Sequence, residues 1–231
     1  MPLFYSLRPL LTPFTPTLIY PLHHLPKPKS PFIPYGFNIS IQEGKEIIAH
    51  IESSQTNAPK AIIIFVGGFC DTIMRAVYRE FVAFNEPFCL KLYISFKCQK
   101  LFTLWLPILT NMGLPLFIIA HSWGASNLNK VLQTKIADNI HLHYLLTLDP
   151  VGYNTPHTRP SGIRLWENIY ISHKIQYLRR DNIIALIGHA WNNIEVSDYN
   201  ASLSKPAHHA SINQMINTSH FYQELTKIIK S

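Results

Sequence analysis

Residues 116–125 read LFIIAHSWGA: the apolar run Leu116-Phe117-Ile118-Ile119-Ala120, then His121-Ser122-Trp123-Gly124-Ala125. A short continuous apolar run suits a strand buried on both faces, and the pentapeptide after it reads as a sharp turn with small residues on its far side. A helix is expected next, from about residue 126 to 136, so the segment reads strand, turn, helix. Working outward, AIIIFV at 61–66 is a second buried run, ended by Gly67-Gly68, and YLLTL at 144–148 is a third, ended by Asp149-Pro150. Buried β-branched runs of this kind imply parallel pairing.

The intervals between these runs fill in the rest. Residues 47–51 and 90–95 read as strands, 75–84 as a helix, and 99–110 as a helix broken at Pro107, which cannot donate to the preceding turn. Further on, 163–171 and 183–189 are candidate strands. Residues 210–230 form a candidate terminal helix carrying Ile212, Met215, Ile216, Phe221, Leu225 and Ile228. Strands alternating with helices argue for an α/β fold, a doubly wound and mostly parallel sheet flanked by helices in a single domain.

Length and composition agree with that reading. The chain has 231 residues, 47% hydrophobic and 14% charged, enough for one well-cored domain and far from the signature of disorder. Residues 1–34 hold nine of the 17 prolines and no acidic residue. Proline at that density blocks a helical membrane span or a secretory core, so residues 1–35 are expected to be an extended or flexible leader, with a membrane-touching arm as the alternative, and 36–231 the catalytic domain. With no signal peptide, lipidation motif or span in view, cytoplasmic residence is the default and signal-independent export stays open.

The formal charge of +7 favours anionic partners, yet lysines and arginines are scattered and the only adjacent arginines are Arg179-Arg180. No basic run interleaves with aromatics, so nucleic-acid binding is not expected. Cys70, Cys89 and Cys98 are odd in number and lack C-x-x-C spacing, which indicates neither a disulfide framework nor zinc. The 12 histidines include no H-E-x-x-H, so neither metal nor other cofactor is expected.

The chemistry centres on Ser122. A serine hydroxyl becomes a nucleophile when a base takes its proton and a strained turn holds it proud of the surface, which the nucleophile elbow G-x-S-x-G achieves between a strand and a helix. Here the motif is A-H-S-W-G: Ala120 stands where the first glycine would, and Gly124 is intact. An Asp at the end of the next strand, Asp149, is positioned to orient a base histidine, with Asp181 and Asp198 as alternatives. A base later in the chain is expected, and His208 and His209 stand together in Pro206-Ala207-His208-His209-Ala210-Ser211 before the last helix. His209 is preferred and His208 is the alternative. His189 and His220 read as surface or core histidines, and His121 as a residue that shapes the pocket.

The segment A-H-S-W-G-A after an apolar strand resembles the elbow of lipases and esterases of the α/β-hydrolase superfamily. Likewise Leu148-Asp149-Pro150-Val151-Gly152 is similar to the L-D-P-[AV]-G segment that carries the acid in lipases of the pancreatic type. The resemblance spans about residues 60–215 in the order of elements, with specificity confined to those two segments. It implies an α/β-hydrolase fold, a serine-hydrolase triad of Ser122, Asp149 and His209, and an oxyanion hole built from backbone amides of Trp123 and of Phe69 after the Gly67-Gly68 turn. The expected substrate is a small-molecule or lipid ester with a hydrophobic acyl group, with possible membrane-surface contact. The apolar run 101–110 (LFTLWLPILT), with Trp105, reads as a pocket lining or a buried helix face. A thioesterase, amidase or peptidase using the same triad, a silent hydrolase-like binding protein, and a lipolytic effector are the competing readings.

Overall fold

The computed structural model describes residues 18–19, 59–69, 71–86, 88–94, 96 and 99–231. Six strands lie parallel in one sheet: β2 (Ala61–Val66), β3 (Cys89–Ile94), β4 (Leu116–His121), β5 (Tyr144–Leu148), β6 (Trp166–Ile171) and β7 (Tyr199–Leu203). A two-residue strand β1 (Leu18–Ile19) pairs antiparallel to β3 at the edge. The order β1-β3-β2-β4-β5-β6-β7 means that the chain leaves β2 to build β3 on one side and then crosses back to build β4 on the other. The switch point therefore lies between β2 and β4, where the carboxyl ends of adjacent strands diverge and open α/β sheets form their ligand crevices. The expected α/β, doubly wound, mostly parallel architecture is the one observed.

Strand periodicity divides the core. In β2, Ile62, Ile64 and Val66 face helices α3 (Gln99–Asn111) and α4 (Trp123–Leu132), packing with Phe102, Leu106, Leu109 and Leu128. The alternate residues Ala61, Ile63 and Phe65 face the other side, with Val77 and Phe81 of α2 (Ala76–Ala83), which follows the short α1 (Asp71–Met74). That layer is completed by α6 (Ile212–Thr218) and α7 (Phe221–Lys230), through Met215, Ile216, Phe221 and Leu225. Burial on both faces explains why these strands read as unbroken apolar runs.

Several elements differ from the sequence expectations. Residues 183–189 are not a strand: helix α5 (Arg180–Ile187) covers most of them, and the apolar run Ile183–Ile187 that suggested a strand is too short for periodicity to decide. Strand β7, with the sequence YNASL, was not anticipated, because it is mostly exposed and is held by its ladder to β6. Helix α3 is continuous through Pro107, since burial of Phe102, Leu106 and Leu109 on one face outweighs the single missing donor. The elbow helix α4 begins at Trp123 and ends at Leu132, before a 3-10 turn over Lys135–Asn139. The terminal helix is two helices, split where the Ser219 hydroxyl donates to the Ile216 carbonyl and accepts from the Phe221 amide. Strand β6 begins at Trp166, and Ile163 makes only an isolated bridge to Leu142. The strand expected at 47–51 and the boundary expected near residue 35 lie outside the described residues. Among the described residues no helix is long and apolar enough to cross a membrane.

Candidate active site

Ser122 sits where β4 becomes α4, with φ 55° and ψ −131°. Positive φ is uncommon for a residue with a side chain, and the turn is held by contacts on both sides of it. The Ser122 amide donates to the Leu148 carbonyl at 3.0 Å, and its own carbonyl accepts from Ala125 at 3.1 Å. The flanking glycines are demanded by close approach. A methyl on Gly124 would fall 2.6 Å from the Gly67 carbonyl oxygen, and one on Gly68 would fall 2.5 Å from Ser122 Cβ and 3.0 Å from its Oγ. The ends of β2 and β4 thus meet backbone to side chain across the switch point. Ala120, standing for the motif's first glycine, is buried in the β4 ladder between Val66 and Thr147.

Ser122 Oγ lies 3.0 Å from His209 Nε2, and His209 Nδ1 lies 2.6 Å from Asp149 Oδ2. Because the carboxylate only accepts, Nδ1–H is the donor, which leaves Nε2 with the lone pair that takes the Ser122 hydroxyl hydrogen. The row is shielded from water: Ser122 is 4%, His209 5% and Asp149 0% exposed. Asp149 follows β5 with φ 39°, and its Oδ1 accepts from the Ile171 amide at 3.0 Å and pairs with Lys174 Nζ at 2.6 Å. Burial pushes the Asp149 carboxyl up, but the His209 hydrogen bond and the His209 and Lys174 charges outweigh it and hold the group below its usual range.

The loop bearing His209 is fixed from three directions. Its amide donates to Asn182 Oδ1 at 2.8 Å, and its carbonyl accepts from His121 Nε2–H at 2.8 Å. The Ala207 carbonyl accepts from His173 Nε2–H at 2.9 Å. His208 turns the other way, donating from Nδ1 to Asp181 Oδ2, which also accepts from the Ala210 amide at 3.0 Å. Of the two adjacent histidines, His209 reaches Ser122 and Asp149. The alternative acids are engaged elsewhere, Asp181 with His208 and Asp198 with Arg159 at 2.7 Å. His189 is exposed against Tyr153, and His220 donates to Glu167. His121 is buried with its ring 4.5 Å from that of His209, and burial first, then the His209 charge, presses it down to about 3, so it stays neutral at working pH.

Trp123 opens α4, so its amide is one of the first-turn donors that a helix leaves without an internal acceptor, and it points from the residue after Ser122. Phe69 directly follows the Gly68 backbone that runs against Ser122 Oγ. The ring of Phe69 packs on Phe96 at 5.4 Å and is exposed. No group of three or more His, Cys, Asp or Glu side chains among the described residues is arranged to hold a metal. A cleft of about 560 Å³ lined by Leu114, Leu116, His143 and Arg164 lies at the amino ends of the strands, the end away from Ser122.

Lys174, Asn182 and the His121 contact were not anticipated. For Lys174 a signal existed: Ser172-His173-Lys174 is a polar cluster at the carboxyl end of β6, where parallel sheets gather ligand-facing residues. No protein-family model and no curated protein matches the chain. Among solved structures it is similar to TT1662 from Thermus thermophilus, with 14% sequence identity, coverage of 76% of this chain and 91% of that one, and a TM-score of 0.37.

Proposed function

We propose that this protein is a serine hydrolase that cleaves carboxylic esters, with Ser122 as nucleophile, His209 as base and then acid, and Asp149 as the group that orients His209. The observation that carries the reading is the buried row of Ser122 Oγ, His209 and Asp149, at 3.0 and 2.6 Å, on a strained turn at the switch point of a parallel sheet. Ser122 Oγ bonds to the ester carbonyl carbon as its proton passes to His209 Nε2. The amides of Trp123 and Phe69 take the charge that develops on the carbonyl oxygen. The carbon–oxygen bond of the ester breaks, the alcohol leaves with the proton from His209, and water repeats the sequence to free the acid. Asp149 stays ionised throughout and stabilises the imidazolium.

A hydrophobic acyl group is supported by the aromatic residues on the two segments that meet at Ser122: Phe69, which follows the Gly68 backbone that approaches its Oγ, and Trp123, packed on Tyr153 at 5.9 Å. The lipase-like segments around Ser122 and Asp149 agree with it. Thioester or amide cleavage would use the same three residues, and a silent binding protein would use none of them.

The test is hydrolysis of p-nitrophenyl esters of increasing chain length by the parent, Ser122→Ala, His209→Ala and His208→Ala. Loss of roughly 10⁴-fold or more in kcat with the first two, and less than about 10-fold with His208→Ala, is the expected pattern. A parent that neither turns over any ester, thioester or amide nor is labelled at Ser122 by a fluorophosphonate would sink the proposal.

A further inference from the structure

Helix α5 is an inverted amphipath. Its buried positions are Asp181, Asn182 and Ala185, the first two spent on holding the His208-His209 loop. With polar groups turned inward, Ile183, Leu186 and Ile187, spaced three and four apart on one face, are turned out to water. Just upstream, Ile175 is 74% and Leu178 68% exposed, and Ile187 is 72%. Ring contacts lead from the end of the patch back to the residue after Ser122. His189, two residues past Ile187, packs its ring 4.7 Å from that of Tyr153, itself 71% exposed, and Tyr153 packs on Trp123 beside Ser122. Exposed apolar surface of this extent marks a place of contact.

The charges around the patch choose the occupant. Between Ser172 and Ile187 the exposed charged side chains are Arg179 and Arg180; the lone acid, Asp181, is buried against His208 and pairs on its other oxygen with Arg179 at 3.7 Å, so the stretch keeps a net positive charge centred on Arg180. A second copy of this chain would bring the same two arginines toward themselves in a molecule of net charge +7. Residues 1–58 carry Arg8, Lys27, Lys29 and Lys45 against Glu43, Glu46 and Glu52, so that stretch has no net negative charge to complement the arginines. Ile175, Leu178 and Ile187 each leave two thirds or more of their surface in water, which suits insertion into a fluid acyl layer. We propose that this face docks the protein on a lipid surface bearing anionic headgroups, with the Tyr153 and Trp123 side of the elbow turned toward the lipid. Protruding Ile and Leu enter the acyl boundary and Arg179 and Arg180 lie at headgroup level, each cation multiplying binding by about fivefold. The docking goes beyond the hydrolytic reading and does not depend on it.

The experiment is co-sedimentation of the full chain carrying Ser122→Ala, so that chemistry plays no part, with vesicles of phosphatidylcholine alone or mixed with phosphatidylglycerol. Binding to the mixed vesicles is expected, several-fold tighter than to phosphatidylcholine. It should fall tenfold or more in Leu178→Glu/Ile187→Glu, and Arg180→Glu should narrow the difference between the two vesicles. Far-ultraviolet dichroism confirms that these surface variants fold, and Ile175→Glu repeats the test outside the helix. Absence of binding, binding unchanged by the apolar-to-Glu variants, or a dimer in sedimentation velocity that those variants dissolve would each overturn the docking. Vesicle binding by a chain whose parent lacks Ser122-dependent hydrolysis overturns the hydrolytic reading alone, and hydrolysis without vesicle binding overturns the docking alone.

Discussion

Lys174→Met removes the cation that sits 2.6 Å from Asp149 Oδ1, on the side of the carboxylate opposite His209. Both partners are buried, Lys174 at 3% exposure, and the ammonium also donates to the Ile171 carbonyl at 2.6 Å. On the proposed mechanism, Lys174 therefore offsets part of the charge that would otherwise stabilise the imidazolium formed on His209 during attack. Across the carboxylate the two cationic groups stand roughly 7 Å apart, and at an effective dielectric of about 20 a unit charge at that distance is worth about 2.4 kcal/mol. With Lys174 gone the imidazolium is favoured by up to that amount, so the acid limb of kcat/KM against pH moves upward by about one to two units.

Stability moves in the same sense. The depressed Asp149 carboxyl contributes stability that is present above its unfolded value near 4 and is lost as pH falls through the folded value. Removing Lys174 raises the folded value, so acid unfolding begins at a higher pH, and at neutral pH the broken buried pair costs about 3 kcal/mol. The assay is the pH profile of ester hydrolysis beside urea melts, for the parent, Lys174→Met and Lys174→Arg. A profile that falls uniformly without moving its acid limb would refute the electrostatic reasoning and leave Lys174 as filler; Lys174→Arg should return the limb toward the parent position.

Gly68→Ala places a methyl 2.5 Å from Ser122 Cβ and should lower kcat by about 100-fold or more while costing about 1–3 kcal/mol in urea melts; an active Gly68→Ala enzyme would show that the elbow yields. Burial pushes the Lys91 ammonium, which donates to the Phe81 and Phe84 carbonyls, down to about 8. The unfolded chain then holds the extra proton between pH 8 and its ordinary value near 10.4, so stability rises with pH across that window by up to about 3 kcal/mol, and Lys91→Met should flatten the rise in guanidinium melts.

The parallel strands were legible because burial on both faces writes itself as an uninterrupted apolar run: AIIIFV and YLLTL coincide with β2 and β5 residue for residue. Where an element is stabilised by something other than its own apolar pattern, the sequence is quiet or misleading. Strand β7 has partners for its backbone but no buried stripe, and helix α5 turns its aliphatic residues outward, so the pattern that usually marks a core element there marks a surface. The join at Ser219 depends on one hydroxyl and on Glu167, which accepts from the His220 amide at 2.9 Å from 53 residues away.

The site divides along the same line. The placement of Ser122 and Asp149 was legible because each follows its strand immediately, so that local chain geometry carries both to the carboxyl edge of the sheet. Which histidine faces Ser122 was legible only to within two residues. In a loop, neighbouring side chains point apart, and which of them turns inward is decided by whatever grips the backbone. Here Asn182 takes the His209 amide, Asp181 takes the His208 ring and the Ala210 amide, and His121 takes the His209 carbonyl, contacts spanning 27 to 88 residues of sequence. Helix α5 thus serves two surfaces at once. Its inward polar residues select the histidine that meets Ser122, and the aliphatic residues displaced to its outer face form the exposed patch, so that one short segment links the geometry of the site to the surface on which the site would work.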